Sequence, residues 1–176
     1  QRVANIDRFW AQNAPDVPKT LLDIGCGLGV FPAAMKEAGW TVTALDPDAR
    51  AIEQVINLGN IDNGVVGLFP CDLGDAAKKY HMVSFNKVLE HVPDPISVLA
   101  HARAYLESDG VLYVKLPDGT CAYDCSPDRQ EFFLEHYGAF STTSMMLLIE
   151  KAGFRVQSLE RLVEPSGKFT LRAFAR

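Results

Sequence analysis

No stretch of this 176-residue sequence comes near the roughly 18 consecutive apolar residues that a membrane-spanning helix needs. Cationic clusters are also missing. With 17 Lys and Arg against 22 Asp and Glu, the formal net charge is −5, which argues against the basic surface that a nonspecific grip on nucleic acid requires. The four cysteines, Cys26, Cys71, Cys121 and Cys125, are too irregularly spread for a disulfide framework and are expected as free thiols. Cys121 and Cys125 make a Cys-x3-Cys pair with no second ligand pair, so no metal site is read from them. Residues 1–13 mix charges and lack the continuous apolar centre of a signal peptide. These absences point to a cytoplasmic protein with no membrane span. Its substrate is expected to be a small molecule or glycan-type compound and not nucleic acid; they say nothing of oligomeric state.

What is present is an ordinary globular composition, 48% hydrophobic and 22% charged, at a length near that of one domain. We expect a single domain over residues 1–176. Val3, Ile6, Phe9 and Trp10 recur at helical spacing, predicting a capping helix over 2–12 within an N-terminal segment that ends at residue 19. Short β-rich runs at 20–24, 41–45, 65–69, 82–86 and 111–116 then alternate with helical stretches at 30–38, 48–57 and 95–107. That alternation implies βαβ units and a parallel sheet. The rhythm breaks over 117–143, a turn-rich aromatic insertion of the kind that is often functional. A helix over 144–151 and two strands at 154–161 and 168–174, turning at Pro165-Ser166-Gly167, close the chain as a hairpin.

The strongest chemical signal is Asp23-Ile24-Gly25-Cys26-Gly27-Leu28-Gly29, where a buried strand runs into a glycine-rich turn that opens a helix. Glycines allow a tight turn and let a ligand approach the backbone closely. Asp46 ends the second strand, where a carboxylate can accept from ribose hydroxyls, and Asp72 follows the third. Three such elements at successive strand ends converge on the crevice where open α/β sheets bind ligands. A nicotinamide dinucleotide would call for Gly-x-Gly-x-x-Gly, but the third position of that pattern is Val30.

With these motifs the sequence resembles the class I S-adenosylmethionine-dependent methyltransferases, and among them the type-11-like small-molecule group. The resemblance runs over 20–174. It is carried by the glycine turn, Leu45-Asp46-Pro47, Cys71-Asp72-Leu73, the run from Asn86 to Pro95 that contains Glu90-His91-Val92-Pro93-Asp94, and Ala152-Gly153-Phe154. It implies a Rossmann-like α/β fold: a mostly parallel seven-stranded sheet with a C-terminal antiparallel hairpin and helices on both faces. It implies S-adenosyl-L-methionine as cofactor, with Gly25, Cys26 and Gly27 against the methionine moiety and Asp23 acting through the turn. Asp46 and Pro47 would lie at the ribose, Asp72 and Leu73 at the adenine, and the Asn86 backbone at the methionine end. One departure is visible, since Tyr80-His81 stands where family members often carry an aromatic residue followed by Asp.

On the acceptor side, His91 follows the fourth strand and His136 lies in the 117–143 insertion; either is a candidate base or acceptor ligand. Phe132, Phe133, Tyr137 and Phe140 could line the acceptor pocket, or could be core. The activity implied is methyl transfer to an O, N or C acceptor on a small molecule or glycan precursor. The alternative is a catalytically silent S-adenosylmethionine-binding regulatory or scaffold subunit.

Overall fold

A computed structural model describes residues 2–14, 16–70, 73, 78–125, 129, 132 and 135–176. Helix α1 (Arg2–Asn13) leads into β1 (Thr20–Ile24), α2 (Val30–Glu37), β2 (Thr41–Asp46), α3 (Ala49–Asn57) and β3 (Asn63–Val66). After β3 come β4 (Tyr80–Asn86), α4 (Pro95–Ala102), β5 (Leu106–Pro117), α5 (Gly119–Tyr123), α6 (Thr142–Lys151), β6 (Val156–Val163) and β7 (Phe169–Ala175). The strands form one seven-stranded sheet in the order β3-β2-β1-β4-β5-β7-β6. All neighbours are parallel except β7, which runs antiparallel to both β5 and β6.

Each face of the sheet is apolar and is covered by helices. Leu21, Val42, Met82, Val111 and Phe174 pack with Ile6 and Trp10 of α1, Phe31 and Met35 of α2, and Ile52 and Val55 of α3. Leu22, Leu45, Val83, Phe85, Leu112 and Val114 pack against Leu99 of α4 and Met145, Leu148 and Ile149 of α6. Because successive strand residues point to opposite faces, these two sets interleave along each strand. The ring of Phe9 stacks on Phe174 at 4.0 Å, and Trp10 meets Trp40 edge-on at 4.8 Å, which fixes α1 against the sheet.

Helix starts follow the side chains that satisfy their free amides. Asp48 accepts from Arg50 before α3, and Asp94 accepts from Ser97 before α4, whose first residue is Pro95. Asp118 accepts from Thr120 and Cys121 before α5, while Ser141 and Ser144 form a reciprocal capping box before α6.

Several boundaries differ from those predicted. The third strand lies at Asn63–Val66 and not 65–69, since Gly64 reads as a turn residue but is needed for packing: a Cβ there would sit 2.7 Å from Ile52 of α3. The helix expected to reach residue 107 stops at Ala102 and tightens into a 3₁₀ turn over Arg103–Tyr105. The fifth strand starts five residues early, at Leu106, and pairing shifts from Tyr80↔Leu106 to Met82↔Val111 across an irregularity that absorbs Ser108, Asp109 and Gly110. Helix α5 lies inside the insertion, where no regular element is predicted.

At the far end of the sheet from the glycine turn, Thr20 Oγ1 lies 2.8 Å from His81 Nδ1 and accepts from the His81 amide at 3.0 Å. His81 thus ties the start of β4 to the start of β1.

Candidate functional site

The order β3-β2-β1-β4-β5 reverses direction between β1 and β4, and open sheets form their ligand crevice at the carboxyl ends of the strands beside such a reversal. Asp46 at the end of β2, the glycine turn after β1 and Asn86 at the end of β4 all lie there.

Hydrogen bonds hold the turn. Gly25 and Cys26 donate their amides to the Leu45 carbonyl at 2.7 and 3.2 Å, and Gly27 donates to Asp46 Oδ2 at 2.8 Å. The second Asp46 oxygen accepts from the Asp48 amide at 2.9 Å. Each carboxylate oxygen therefore keeps acceptor capacity for a hydroxyl.

The three glycines do different work. A Cβ on Gly25 would meet Val88 at 2.6 Å and one on Gly29 would meet Val55 at 2.2 Å, so these two permit close packing of neighbouring elements. Gly27, at φ +52°, would place a Cβ into open space with no atom within 4 Å. Its backbone borders the crevice, which is the position a ligand-facing turn residue must occupy.

Asp23 is only 1% exposed and accepts from Ser84 Oγ at 2.5 Å across paired positions of β1 and β4. Burial pushes its carboxyl up to about 7. Cys26 is buried beside it, and burial pushes its thiol up to about 12, so it is a poor nucleophile. Pro47 is exposed next to Asp46, and Leu73 is buried in the core. Cys71 and Asp72 lie outside the described residues. Asn86 is half-buried, and its side-chain oxygen has no hydrogen-bond partner. The next residue, Lys87, adopts φ +63°. Non-glycine residues rarely enter that region, and such strain clusters at ligand-binding positions.

Beyond β4 the structure brings the two histidines together. Their rings meet edge-to-face at 4.8 Å, with His91 exposed and His136 half-buried. The Tyr137 amide donates to the Glu90 carbonyl at 2.7 Å, which docks the insertion on the segment after β4. His91 Nδ1 lies 3.2 Å from the Glu135 carbonyl, which can only accept, so Nδ1 carries the proton and Nε2 is left as the basic nitrogen. Glu90 is buried, its Oε2 has no partner, and burial raises its carboxyl above the usual range. Ligand atoms of Glu90, His91 and His136 all lie within 4.8 Å of one another, a carboxylate–imidazole arrangement able to hold a divalent cation. The sequence pairs Glu90 with His91 but gives no sign that His136 joins them.

Of the insertion aromatics, Phe140 is core and Tyr137 is exposed. Phe132 is half-buried, and Phe133 lies outside the described residues. Cys26, Cys121 and Cys125 are free thiols.

A cavity of about 280 Å³ lies instead between α1, α2, β5 and the β6–β7 turn, and is lined by Arg2, Phe31, Tyr113, Lys115, Glu164 and Arg172 among others. It adjoins the crevice, because Asn86 pairs with Lys115 and Lys115 with Arg172 across three neighbouring strands. These residues are missed by sequence reading. The available signal is Lys115, the one charge in the otherwise apolar run 111–116, which the structure leaves only 1% exposed.

A family model described as a methyltransferase domain matches residues 3–159, most of the chain. The chain belongs to the class I S-adenosylmethionine-dependent methyltransferases. Over 105 residues it is 36% identical to a ubiquinone biosynthesis O-methyltransferase of Haemophilus ducreyi, an alignment that covers 54% of this chain and 44% of the relative. The methyltransferase chain thus spans less than half the length of that curated relative. Its fold matches a SAM-dependent methyltransferase of Methanosarcina mazei at TM-score 0.72 and 16% identity, covering 97% of this chain and 95% of that one. It also matches the 1,6-didemethyltoxoflavin-N1-methyltransferase of Burkholderia thailandensis, solved with S-adenosylhomocysteine, at TM-score 0.70 and 21% identity, covering 99% and 83%. The described residues contain no helix long and apolar enough to cross a membrane.

Proposed function

We propose that this chain transfers a methyl group from S-adenosylmethionine to a small molecule, and that the acceptor atom is a hydroxyl oxygen. The observation that carries the reading is the crevice itself: Gly27 opens onto free space while its amide holds Asp46, whose two oxygens keep acceptor capacity. The unpartnered oxygen of Asn86 is a third group awaiting a donor there. These residues fit a ligand with a ribose and an amino-acid tail. The choice of oxygen is supported by the O-methyltransferase relatives.

When bound, the cofactor supplies a methyl group on a positively charged sulfur, already activated for displacement. The protein's part is placement and proton handling. Asp46 would accept from the ribose hydroxyls, Gly27 would leave room for the methionine backbone while Gly25 lets the turn pack on Val88, Asp72 and Leu73 would serve the adenine, and Asn86 would border the reacting end. Alignment of acceptor and methyl is worth roughly 7–11 kcal/mol in favourable cases. His136, or His91 through its free Nε2, takes the acceptor's proton, a role typically worth about 100- to 10,000-fold in rate.

The test is incubation of the protein with methyl-labelled S-adenosylmethionine and a panel of phenols, aliphatic alcohols, amines and activated carbon acids, with products read by mass spectrometry. Label on a hydroxyl is the expected result. Label only on nitrogen or carbon overturns the choice of acceptor atom, and no transfer to any acceptor overturns the enzymatic reading.

A further inference from the structure

The cavity beside the crevice has two unlike halves. Val3, Val30, Phe31, Leu162 and Val163 make an apolar wall. Opposite them, Arg2, Lys115 and Arg172 gather three cations against one lining carboxylate, Glu164. Lys115 pairs with Glu164, which also accepts from Thr170 at 3.2 Å, and Arg172 pairs with Glu160 from the half-exposed side.

These pairs leave donors unused. Nε of Arg172, Nε of Arg2 and the hydroxyl of Tyr113 are all buried without a hydrogen-bond partner. Buried donors are almost always satisfied, so three orphans lining one cavity mark the place of a missing acceptor. The Tyr113 ring is held between Phe31, parallel at 5.9 Å, and Phe174 at 5.2 Å, so its hydroxyl is fixed and not a mobile surface group. Lys115 is only 1% exposed, and that burial pushes its ammonium down to about 8. A donor-rich, net-positive corner facing an apolar wall is complementary to a compact anion with an apolar body.

We propose that this cavity is the acceptor pocket and that it selects a small carboxylate with an apolar ring or chain, the carboxylate accepting from Tyr113, Arg172 and Arg2. The proposal rests on the methyltransferase reading only for the word acceptor; the preference for a carboxylate stands on the cavity alone. The register Asn86↔Lys115↔Arg172 sets the carboxylate two strands from the methyl-bearing end of the crevice, about 10 Å at ordinary strand spacing. One ring fits between them.

Calorimetry with two probes that differ only in the anion, 3,4-dihydroxybenzoate and catechol, decides the matter. Both are titrated into the protein with and without saturating S-adenosylhomocysteine. The benzoate is expected to bind at least about tenfold tighter, as charge-assisted hydrogen bonds to a desolvated oxyanion imply. Tyr113→Phe keeps the ring and removes only the orphan hydroxyl; Arg172→Gln removes the charge. Each is expected to cut the preference to about threefold or less while S-adenosylhomocysteine affinity is retained. Equal binding of the two probes, no binding of either at millimolar concentration, or a preference that survives both substitutions would each overturn the proposal. So would a loss of S-adenosylhomocysteine affinity in these variants matching the loss for the benzoate, which would make the corner the cofactor's own carboxylate site. If S-adenosylhomocysteine does not bind the unaltered protein, the methyltransferase reading fails, and the cofactor-free titrations still decide the carboxylate preference.

Discussion

The amide of Gly27 donates to the carboxylate of Asp46 at 2.8 Å, joining the turn after β1 to the end of β2 across nineteen positions of sequence. One bond thus sets both halves of the crevice, the bare backbone on one side and the acceptor oxygens on the other. Because a Cβ at Gly27 meets no protein atom, Gly27→Ala costs only the left-handed conformation, about 1–2 kcal/mol. The variant is expected to give an unaltered circular dichroism spectrum and to lose cofactor affinity by about tenfold or more, since the added methyl and the shifted amide intrude on the ligand. Unchanged affinity for S-adenosylhomocysteine would make Gly27 a turn residue only.

Gly29 is predicted to behave differently. A Cβ there would lie 2.2 Å from Val55 Cγ1, so Gly29→Ala drives α2 and α3 apart and is expected to cost about 2–4 kcal/mol through overpacking and a positive φ. Removing the obstacle with Val55→Ala should recover part of that loss. Urea denaturation of the two single variants and the double variant checks this: a double variant less destabilised than the sum of the singles is expected, and simple additivity would contradict the packing role.

Asp23 makes stability depend on pH in the direction opposite to most carboxylates. Burial raises its carboxyl from 3.8 to about 7 in the folded state. The folded state therefore holds a proton that the unfolded chain releases, and stability present below about pH 4 is lost as pH rises towards 7. The full effect is on the order of a few kcal/mol. Asp23→Asn removes the titration while keeping the shape, so its melting temperature should exceed that of the unaltered protein at pH 8 and approach it near pH 5. Parallel melting curves for the two proteins across this range would show that Asp23 is not buried as an acid.

His136 is expected to act on turnover and not on the cofactor. It meets His91 at 4.8 Å, and the sequence places it only within the 117–143 insertion. His136→Ala should lower kcat by about 100-fold or more if the imidazole takes the acceptor's proton, with S-adenosylhomocysteine affinity unchanged. A raised KM with unchanged kcat would make it an acceptor ligand, and neither change would shift the proton-accepting role to His91.

Much of this was legible in the sequence, and the rest was hidden for physical reasons. The glycine turn and Asp46 stood out because βαβ units place such residues at strand ends by local rules alone. The start of β5 did not, since Ser108-Asp109-Gly110 reads as a turn and is accommodated only by a pairing irregularity with β4. The start of β3 at Asn63, ahead of the expected 65–69, was hidden because the packing of Gly64 against Ile52 depends on where α3 settles. The cavity was out of reach for a similar reason: Arg2, Lys115 and Arg172 are brought together by the docking of α1 and the hairpin, which no local pattern records. The aromatics of the insertion left lining and core both open in the sequence, and for Phe140 packing with Met145 and Leu171 in one core decides for the core.

The carboxyl ends of β1, β2 and β4 are proposed to form a site for S-adenosylmethionine. Calorimetric titration of the unaltered protein and of Asp46→Ala with S-adenosylhomocysteine tests it most directly. One site per chain is expected in the unaltered protein. Removing the ribose acceptor, worth about 1.5–3 kcal/mol, should then weaken binding by roughly ten- to hundredfold. Equal affinity in the two proteins, or tight binding of a nicotinamide dinucleotide in its place, would contradict it.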